Sequence, residues 1–199
     1  MAASGLMGAG VISSTAETVP QKRNPGLFDV REFGAKGDGK AVDTPAINKA
    51  IEAAAGAGGG RVYFGAGNYL CFSIHLKSKV ELFLDAGSTI VAADPPSQSG
   101  APGFDLPESN KPWEDYQDFG HNHWRNSLIW GENLEGVSIQ GTGLIWGKGL
   151  SRGEGAGPVA ELPGVANKAI ALKNRRNVIL RDFSISARRT FWHSCDWCR

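Results

Sequence analysis

Hydrophobic side chains recur at helical spacing in one segment of the N-terminal half. Four of them follow the spacing i, i+3, i+4, i+7, which places them on one face of an α-helix. These residues are Ile47, Ala50, Ile51 and Ala54. Asp43 and Thr44 precede the stripe as capping residues, proline follows at position 45, and the stripe ends in a glycine-rich stretch at residues 56–60. The pattern predicts one amphipathic helix that begins near Thr44.

Beyond this segment, short runs rich in β-branched and aromatic residues follow one another with no helical pattern between them. Each run is bounded by Gly, Asn, Asp or Ser, which predicts strands joined by turns. The predicted strands are Arg61–Phe64, Tyr69–Leu76, Val80–Leu84, Ser88–Ala92, Ser127–Trp130, Val137–Ile139, Leu144–Trp146, Ala169–Leu172 and Val178–Ile185. This order excludes an alternating βαβ architecture and leaves a sandwich, a barrel or a β-solenoid.

An internal repeat favours the solenoid. Residues 128–139 align with residues 169–180 at a constant offset, with isoleucine, asparagine and valine at matching positions. The string LIWG also occurs twice, at positions 128–131 and 144–147, which places Trp130 and Trp146 at equivalent strand positions. We expect structural roles for both, with contact to sugar rings as the alternative. Stacked coils of this kind bury a continuous aliphatic core and place asparagines at their corners. We therefore predict an all-β fold, a right-handed parallel β-helix whose N-terminal end is capped by the helix.

A proline-rich stretch, Asp94–Asn126, interrupts the strand rhythm and carries several aromatic residues and two histidines. An interruption of this length inside a regular scaffold predicts a loop over one face, where functional loops are often found. We identify His121, His123 and Trp124 as candidate substrate-binding residues, with ordinary packing in the loop as the alternative. No third ligand accompanies the two histidines, so we predict no metal site.

Composition and charge limit the possible partners. The chain has 199 residues, and its 21 basic and 20 acidic residues leave a net charge of +1. We therefore expect neither a nucleic-acid nor a membrane partner. Residues 1–25 are signal-like or form a flexible N-terminus, because residues 1–17 resemble the apolar and cleavage regions of a signal peptide without its basic start. The expected location is secreted or periplasmic.

The opening of the predicted fold resembles a known group of proteins. The string FDVREFGAKGDG at residues 28–39, the helix stripe and GGGRVYF at residues 58–64 resemble the start of the pectin-degrading β-helix proteins. GNYL at residues 67–70 and NLEGVSIQGTGLI at residues 133–145 extend this resemblance. In particular, residues 27–186 resemble the N-terminal portion of glycoside hydrolase family 28, the polygalacturonases and their relatives.

The resemblance implies inverting hydrolysis of a pectic, galacturonan-like polysaccharide by a protein that is a monomer at full length and uses no cofactor. Inversion needs a carboxylic acid and a carboxylate base about 6.5–9.5 Å apart. The family carries its aspartates, histidine and basic pair on later coils, and these motifs have no counterpart before Arg199. We therefore identify no catalytic residue and expect this fragment to be inactive alone. A polysaccharide-binding or adhesive module and a pectate-lyase-like enzyme are the alternatives.

The last residues depart from the predicted fold. Cys195 and Cys198, with His193, are too few ligands for a structural zinc site. With a suitable choice of codons, the same stretch read one base later gives GHFGILATGV, which suits a polygalacturonase-like chain. We therefore expect residues 187–199 to be an out-of-frame tail and residues 26–186 to be the N-terminal coils of a longer β-helix.

Overall fold

The computed structural model describes residues 26–95, 102–109, 123–151 and 164–187. The predicted N-terminal segment 1–25 lies outside the described residues, as does the predicted tail 187–199 except for its first residue, Ala187, which ends the last strand. The elements in chain order are β1 (Leu27–Asp29), a 3₁₀ helix (Val30–Phe33), β2 (Asp38–Val42), α1 (Thr44–Gly56), β3 (Gly60–Phe64), β4 (Gly67–Cys71), β5 (Ile74–His75), β6 (Val80–Leu84), β7 (Ser88–Ala92), β8 (Ser127–Gly141), β9 (Leu144–Gly147), β10 (Lys168–Arg181) and β11 (Ser184–Ala187).

All strand pairs among the described residues are parallel. One sheet has the order β1-β3-β6-β8-β10, with β5 beside β8, and the other has the order β2-β4-β7-β9-β11. The long strands β8 and β10 each turn a corner, because the backbone has positive φ at Asn133 and Gly136 in β8 and at Asn174 and Asn177 in β10. The chain therefore winds into the predicted right-handed parallel β-helix.

The corners divide the coils into three faces. The first face comprises β5 and the N-terminal parts of β8 and β10. The second face comprises β1, β3, β6 and the C-terminal parts of β8 and β10. The third face comprises β2, β4, β7, β9 and β11. Inward-pointing side chains from all three faces meet in one hydrophobic core.

The longer of the two predicted repeats is confirmed by the register between β8 and β10. Ile170 pairs with Ile129, and Val178 pairs with Val137, as in the sequence alignment. The corner asparagines stack at the same offset, since Asn174 Nδ2 donates to Asn133 Oδ1 at 3.2 Å. Identical positions of successive coils therefore lie one above the other.

The shorter repeat, the two LIWG strings, has a different structural basis. Trp130 lies in β8 on the first face, whereas Trp146 lies in β9 on the third face. The expectation that these residues occupy equivalent positions is therefore wrong. The two strings occupy different faces of one coil and do not stack.

Helix α1 covers the N-terminal end of the core, as predicted. Its four stripe residues are completely buried, and the helix packs against the 3₁₀ helix, β1, β3, β5 and β6. The capping contact differs from the prediction, because the Asp43 carboxylate makes no hydrogen bond to the helix. Asp43 instead accepts the backbone N–H groups of Lys36 at 2.6 Å and Gly37 at 3.0 Å. The carboxylate thus holds the loop before β2, while Thr44 Oγ1 accepts the N–H of Phe72 at 2.7 Å.

The strand boundaries agree with the sequence pattern where the strands are buried and differ at the corners. Strands β6 and β7 have the predicted bounds, whereas the predicted strand Tyr69–Leu76 is split between β4 and β5. The predicted strands Ser127–Trp130 and Val137–Ile139 form one continuous strand, β8. The predicted strand Ala169–Leu172 is continuous in β10 with the first part of Val178–Ile185, whose last residues belong to β11. The pattern does not predict β1 and β2, because β2 is mostly exposed and shows no hydrophobic alternation.

Replacing Asp43 with alanine is expected to destabilise the fold by about 1–3 kcal/mol, because it leaves two N–H groups without their buried acceptor. Asp38 provides a matched control, since it also accepts two backbone N–H groups, from Lys40 and Ala41, but is exposed. We expect Asp38→Ala to have a smaller effect. Denaturant unfolding of both variants measures the difference, and equal losses would contradict the role of burial.

Candidate functional site

The segment at residues 102–109 lies against the first face. Phe104 packs edge-on against Phe72, with 5.2 Å between ring centroids. The Asp105 N–H donates to Ser73 Oγ at 3.0 Å, and this hydroxyl donates to the Ser127 carbonyl at 2.9 Å. These contacts attach the segment both to the turn before β5 and to the start of β8.

The Asp105 carboxylate joins two aromatic side chains of the first face. Its Oδ2 atom lies 2.7 Å from His75 Nε2 and accepts the Trp130 indole N–H at 2.7 Å. The His75 and Trp130 rings lie beside one another, with 5.0 Å between their centroids. One carboxylate oxygen therefore fixes a histidine of β5 and a tryptophan of β8 relative to each other.

Hydrogen bonding keeps the Asp105 carboxyl ionised. Burial alone would raise its pKa, but the hydrogen bonds from His75 and Trp130, together with nearby positive charge, hold the pKa below its ordinary value of 3.8. A general acid needs a raised pKa to carry its proton at neutral pH. Asp105 is therefore suited to orienting its neighbours and not to donating a proton.

The main chain of His75 is also held. Its N–H donates to Asn48 Oδ1 of α1 at 2.9 Å, and Asn48 Nδ2 donates to the Ser73 carbonyl at 3.1 Å. The capping helix thus contributes to the position of the histidine. This arrangement links the N-terminal end of the solenoid to His75, Asp105 and Trp130, which form a polar cluster on its first face.

An open cleft of about 370 Å³ lies beside this cluster. Its lining residues are His75, Leu76, Lys77, Ser78, Arg125, Trp130, Glu132, Asn133 and Leu134. The Arg125 guanidinium lies 5.7 Å from the centre of a Trp130 ring and 3.7 Å from Glu132. Lys77 is paired with Glu52 of α1 at 2.9 Å. The cleft therefore combines aromatic surface with hydroxyl, amide and charged groups, which suits a polar ligand with many hydroxyl groups.

Two of the three predicted site residues lie near the cleft without lining it. The His123 ring lies 3.5 Å from Glu108, and the Trp124 N–H donates to the same carboxylate at 3.0 Å. Lys173 Nζ lies 3.3 Å from the centre of a Trp124 ring. His123 and Trp124 thus contact Glu108 of the same loop, Trp124 also contacts Lys173 of β10, and their substrate-binding role stays a prediction. His121 lies outside the described residues.

The sequence pattern does not identify the residues that form the polar cluster. His75 and Trp130 become neighbours through the pairing of β5 with β8, and Asp105 joins them from the proline-rich segment. No local motif connects positions so far apart. The signal that could have located them is the alignment of β5 with β8, which the intervening loop conceals.

The described part of the chain has no group of three or more side chains suited to a metal ion. Within the same residues, no helix is long and apolar enough to cross a membrane.

The fold and the cleft define the class of the protein, a parallel β-helix with a polar cleft along one face. Residues 27–147 match the rhamnogalacturonase A/epimerase, pectate lyase-like family, and the chain belongs to this family. This match confirms the resemblance to the pectin-degrading β-helix proteins.

Two curated relatives match shorter segments. Mannuronan C5-epimerase AlgE1 of Azotobacter vinelandii is 56% identical over 45 residues, which are 23% of this chain and 3% of the relative. Exo-poly-alpha-D-galacturonosidase of Dickeya chrysanthemi is 34% identical over 83 residues, which are 42% of this chain and 13% of the relative. The chain thus spans a small part of these relatives.

Solved structures share the fold over most of the chain. A family 28 exopolygalacturonase of Yersinia enterocolitica aligns with a TM-score of 0.57 and 23% identity, over 82% of this chain and 35% of that protein. The surface protein and adhesin PfbA of Streptococcus pneumoniae aligns with a TM-score of 0.53 and 27% identity, over 80% of this chain and 35% of that protein.

Proposed function

We propose that the first-face cleft binds a pectic polysaccharide and that the whole protein hydrolyses it as a polygalacturonase-type glycosidase. The observation that carries this proposal is the cleft itself, in which an indole ring is held in place beside hydroxyl, amide and cationic groups. Aromatic rings supply rigid contact area for sugar rings, and guanidinium groups suit the carboxylates of a uronate chain. Membership of the family supports the same substrate class.

The described carboxylates in the cleft and beside it do not supply an acid–base pair in this proposal. Asp105 has a lowered pKa, and Glu132 lies within ion-pair distance of Arg125. We therefore propose that the cleaving carboxylates belong to coils encoded beyond Arg199 and that this chain alone binds without cleaving. Because the proposed substrate is a polymer, we propose that the protein acts outside the cytoplasm, in the periplasm or after secretion.

A second candidate function is adhesion, which the likeness to the PfbA adhesin favours. Sequencing the gene across Ser186 and downstream, followed by translation of all frames, separates the two functions. A shifted frame that continues with GHFG and reaches aspartate motifs supports the hydrolase. A stop after Arg199 with no further coils favours the binding module.

Replacing Trp130 with alanine is expected to weaken binding of a galacturonate oligomer about tenfold, since the indole forms a wall of the cleft. Trp146→Ala is the matched control, because Trp146 is 41% exposed on the third face, away from the cleft. Isothermal titration of both variants measures the effect, and thermal unfolding checks that both are folded. Equal affinities of the two variants would contradict binding in the cleft.

The type of reaction is measured separately on a chain that carries the downstream coils. Release of reducing sugar without ultraviolet absorbance from unsaturated uronides identifies a hydrolase. The appearance of that absorbance identifies a lyase. Binding without release of either kind supports the adhesive or polysaccharide-binding module.

A further inference from the structure

We propose that Asp105 is a positioning residue, which fixes the Nε2–H tautomer of His75 and the plane of the Trp130 indole to form one rigid sugar subsite. This inference rests on the proposed function, because the subsite belongs to the same cleft. It goes further in assigning a role to a side chain that lies outside the lining of the cleft.

The geometry allows a single carboxylate oxygen to control both rings. Asp105 Oδ2 lies 2.7 Å from His75 Nε2 and 2.7 Å from Trp130 Nε1. An ionised carboxylate only accepts hydrogen bonds, so His75 Nε2 and Trp130 Nε1 must each carry a hydrogen atom. For neutral His75 this requirement selects the Nε2–H tautomer and leaves Nδ1 as an acceptor.

Asp105 is itself held, which it must be in order to position other groups. Its backbone N–H is bound by Ser73 Oγ, and the preceding Phe104 is buried against Phe72. The carboxylate is therefore attached to the scaffold through its own main chain. A supporting group of this kind keeps contact groups in place before the ligand arrives.

His75 Nδ1 is the atom left for a ligand. His75 lines the cleft, its side chain is 40% exposed, and no described residue forms a hydrogen bond with Nδ1. Beside the indole of Trp130, this nitrogen can accept the hydroxyl hydrogen of a sugar ring packed on the indole. The subsite would therefore recognise the ring and one hydroxyl donor together.

A purely structural role for Asp105 predicts different results. If the carboxylate only attached residues 102–109 to the first face, its loss would lower stability without changing the tautomer of His75 or the affinity of the folded protein. The histidine tautomer and the affinity therefore distinguish the two roles.

The test compares Asp105→Ala with Asp105→Asn in the full chain. The asparagine variant keeps an acceptor oxygen, so we expect it to retain affinity for a galacturonate oligomer within about threefold. The alanine variant removes the acceptor, and we expect a loss of about tenfold. Nitrogen-15 NMR of the imidazoles is expected to show the Nε2–H form of His75 in the wild type and a mixture in Asp105→Ala. Asp94→Asn, at an exposed carboxylate paired with Lys148, is the control for loss of a charge.

Each other outcome overturns the inference. Wild-type affinity in Asp105→Ala would show that the subsite does not depend on the carboxylate, while leaving the proposed function intact. Absence of any binding by the wild type would overturn the proposed function and this inference together. If Asp105→Ala does not fold, an Nδ1–H or mixed tautomer in the wild type is sufficient to reject the role of Asp105.

Discussion

Replacing Gly141 with alanine is expected to destabilise the protein by about 3 kcal/mol or more, because the added Cβ atom would overlap the carbonyl group of Leu84. Gly141 ends β8 with φ of 113°. It pairs with Leu84 in the parallel register of β6 and β8, so relief requires these strands to separate. Overpacking in a core costs about 1–3 kcal/mol, and positive φ adds about 1–2 kcal/mol for a residue with a Cβ atom.

Gly136→Ala is the matched control for this substitution. Gly136 lies in the same strand at positive φ, but an added Cβ atom meets no atom within 4 Å. We therefore expect a loss of about 1 kcal/mol from the backbone conformation alone. Denaturant unfolding followed by far-ultraviolet circular dichroism measures both values. Similar losses would show that the strands move apart at little cost.

Replacing Ile139 with alanine is expected to destabilise the protein by about 2–5 kcal/mol. Ile139 is fully buried in β8 and pairs with Leu82 of β6 and Leu180 of β10. Its removal leaves a cavity between successive layers of the stack, and a core held by strands on three faces has little freedom to collapse around it. The effect should therefore spread to the coils on both sides.

Ile179→Ala is the matched control, because Ile179 belongs to the adjacent stack of side chains, which points outward from the core. Ile179 is 51% exposed in β10, where it pairs with the outward-facing position of Ser138. We expect a loss below about 1 kcal/mol, which reflects only strand propensity. The free energies of unfolding of the two isoleucine variants are compared under the same conditions. A larger loss for Ile179→Ala would mean that the outward-facing side chains contribute more to stability than their exposure indicates.

The sequence is sufficient for the architecture because local patterns and the repeat both reflect the stacking. The stripe from Ile47 to Ala54 is buried as predicted, and the offset of the longer repeat equals the register between β8 and β10. In a parallel β-helix, residues that stack occupy the same position of successive coils. A repeat in the sequence therefore gives the strand pairing directly.

The strands β1 and β2 cannot be recognised in the same way. β1 is very short, and β2 is polar and largely exposed at the edge of the third face. Their strand conformation comes from pairing with β3 and β4 and not from their own side chains. Tertiary contacts therefore decide the conformation where local propensity is weak.

The candidate site is even less accessible from the sequence. His75, Asp105 and Trp130 belong to three separate segments, and only the winding of the coil makes them neighbours. The predicted residues His123 and Trp124 contact Glu108 and Lys173 and do not belong to this cluster, so their substrate-binding role stays a prediction. Aromatic content draws attention to the proline-rich loop. The polar cluster depends on the pairing of β5 with β8, which no local sequence pattern predicts.

The spacing between coils has a consequence for how such a scaffold changes over time. Ile129 pairs with Ile74 of the preceding coil and with Ile170 of the following coil. The chain segments between the paired residues differ in length, yet both pairs have the same parallel geometry. Loops of different length can thus connect paired strands without altering their register, and the entropic cost of closing a loop grows slowly with its length. Insertions and deletions in the loops between coils can therefore change the residues around the cleft during evolution while the stacked core stays the same. For the same reason, grafting loops between coils offers a practical route to new binding properties.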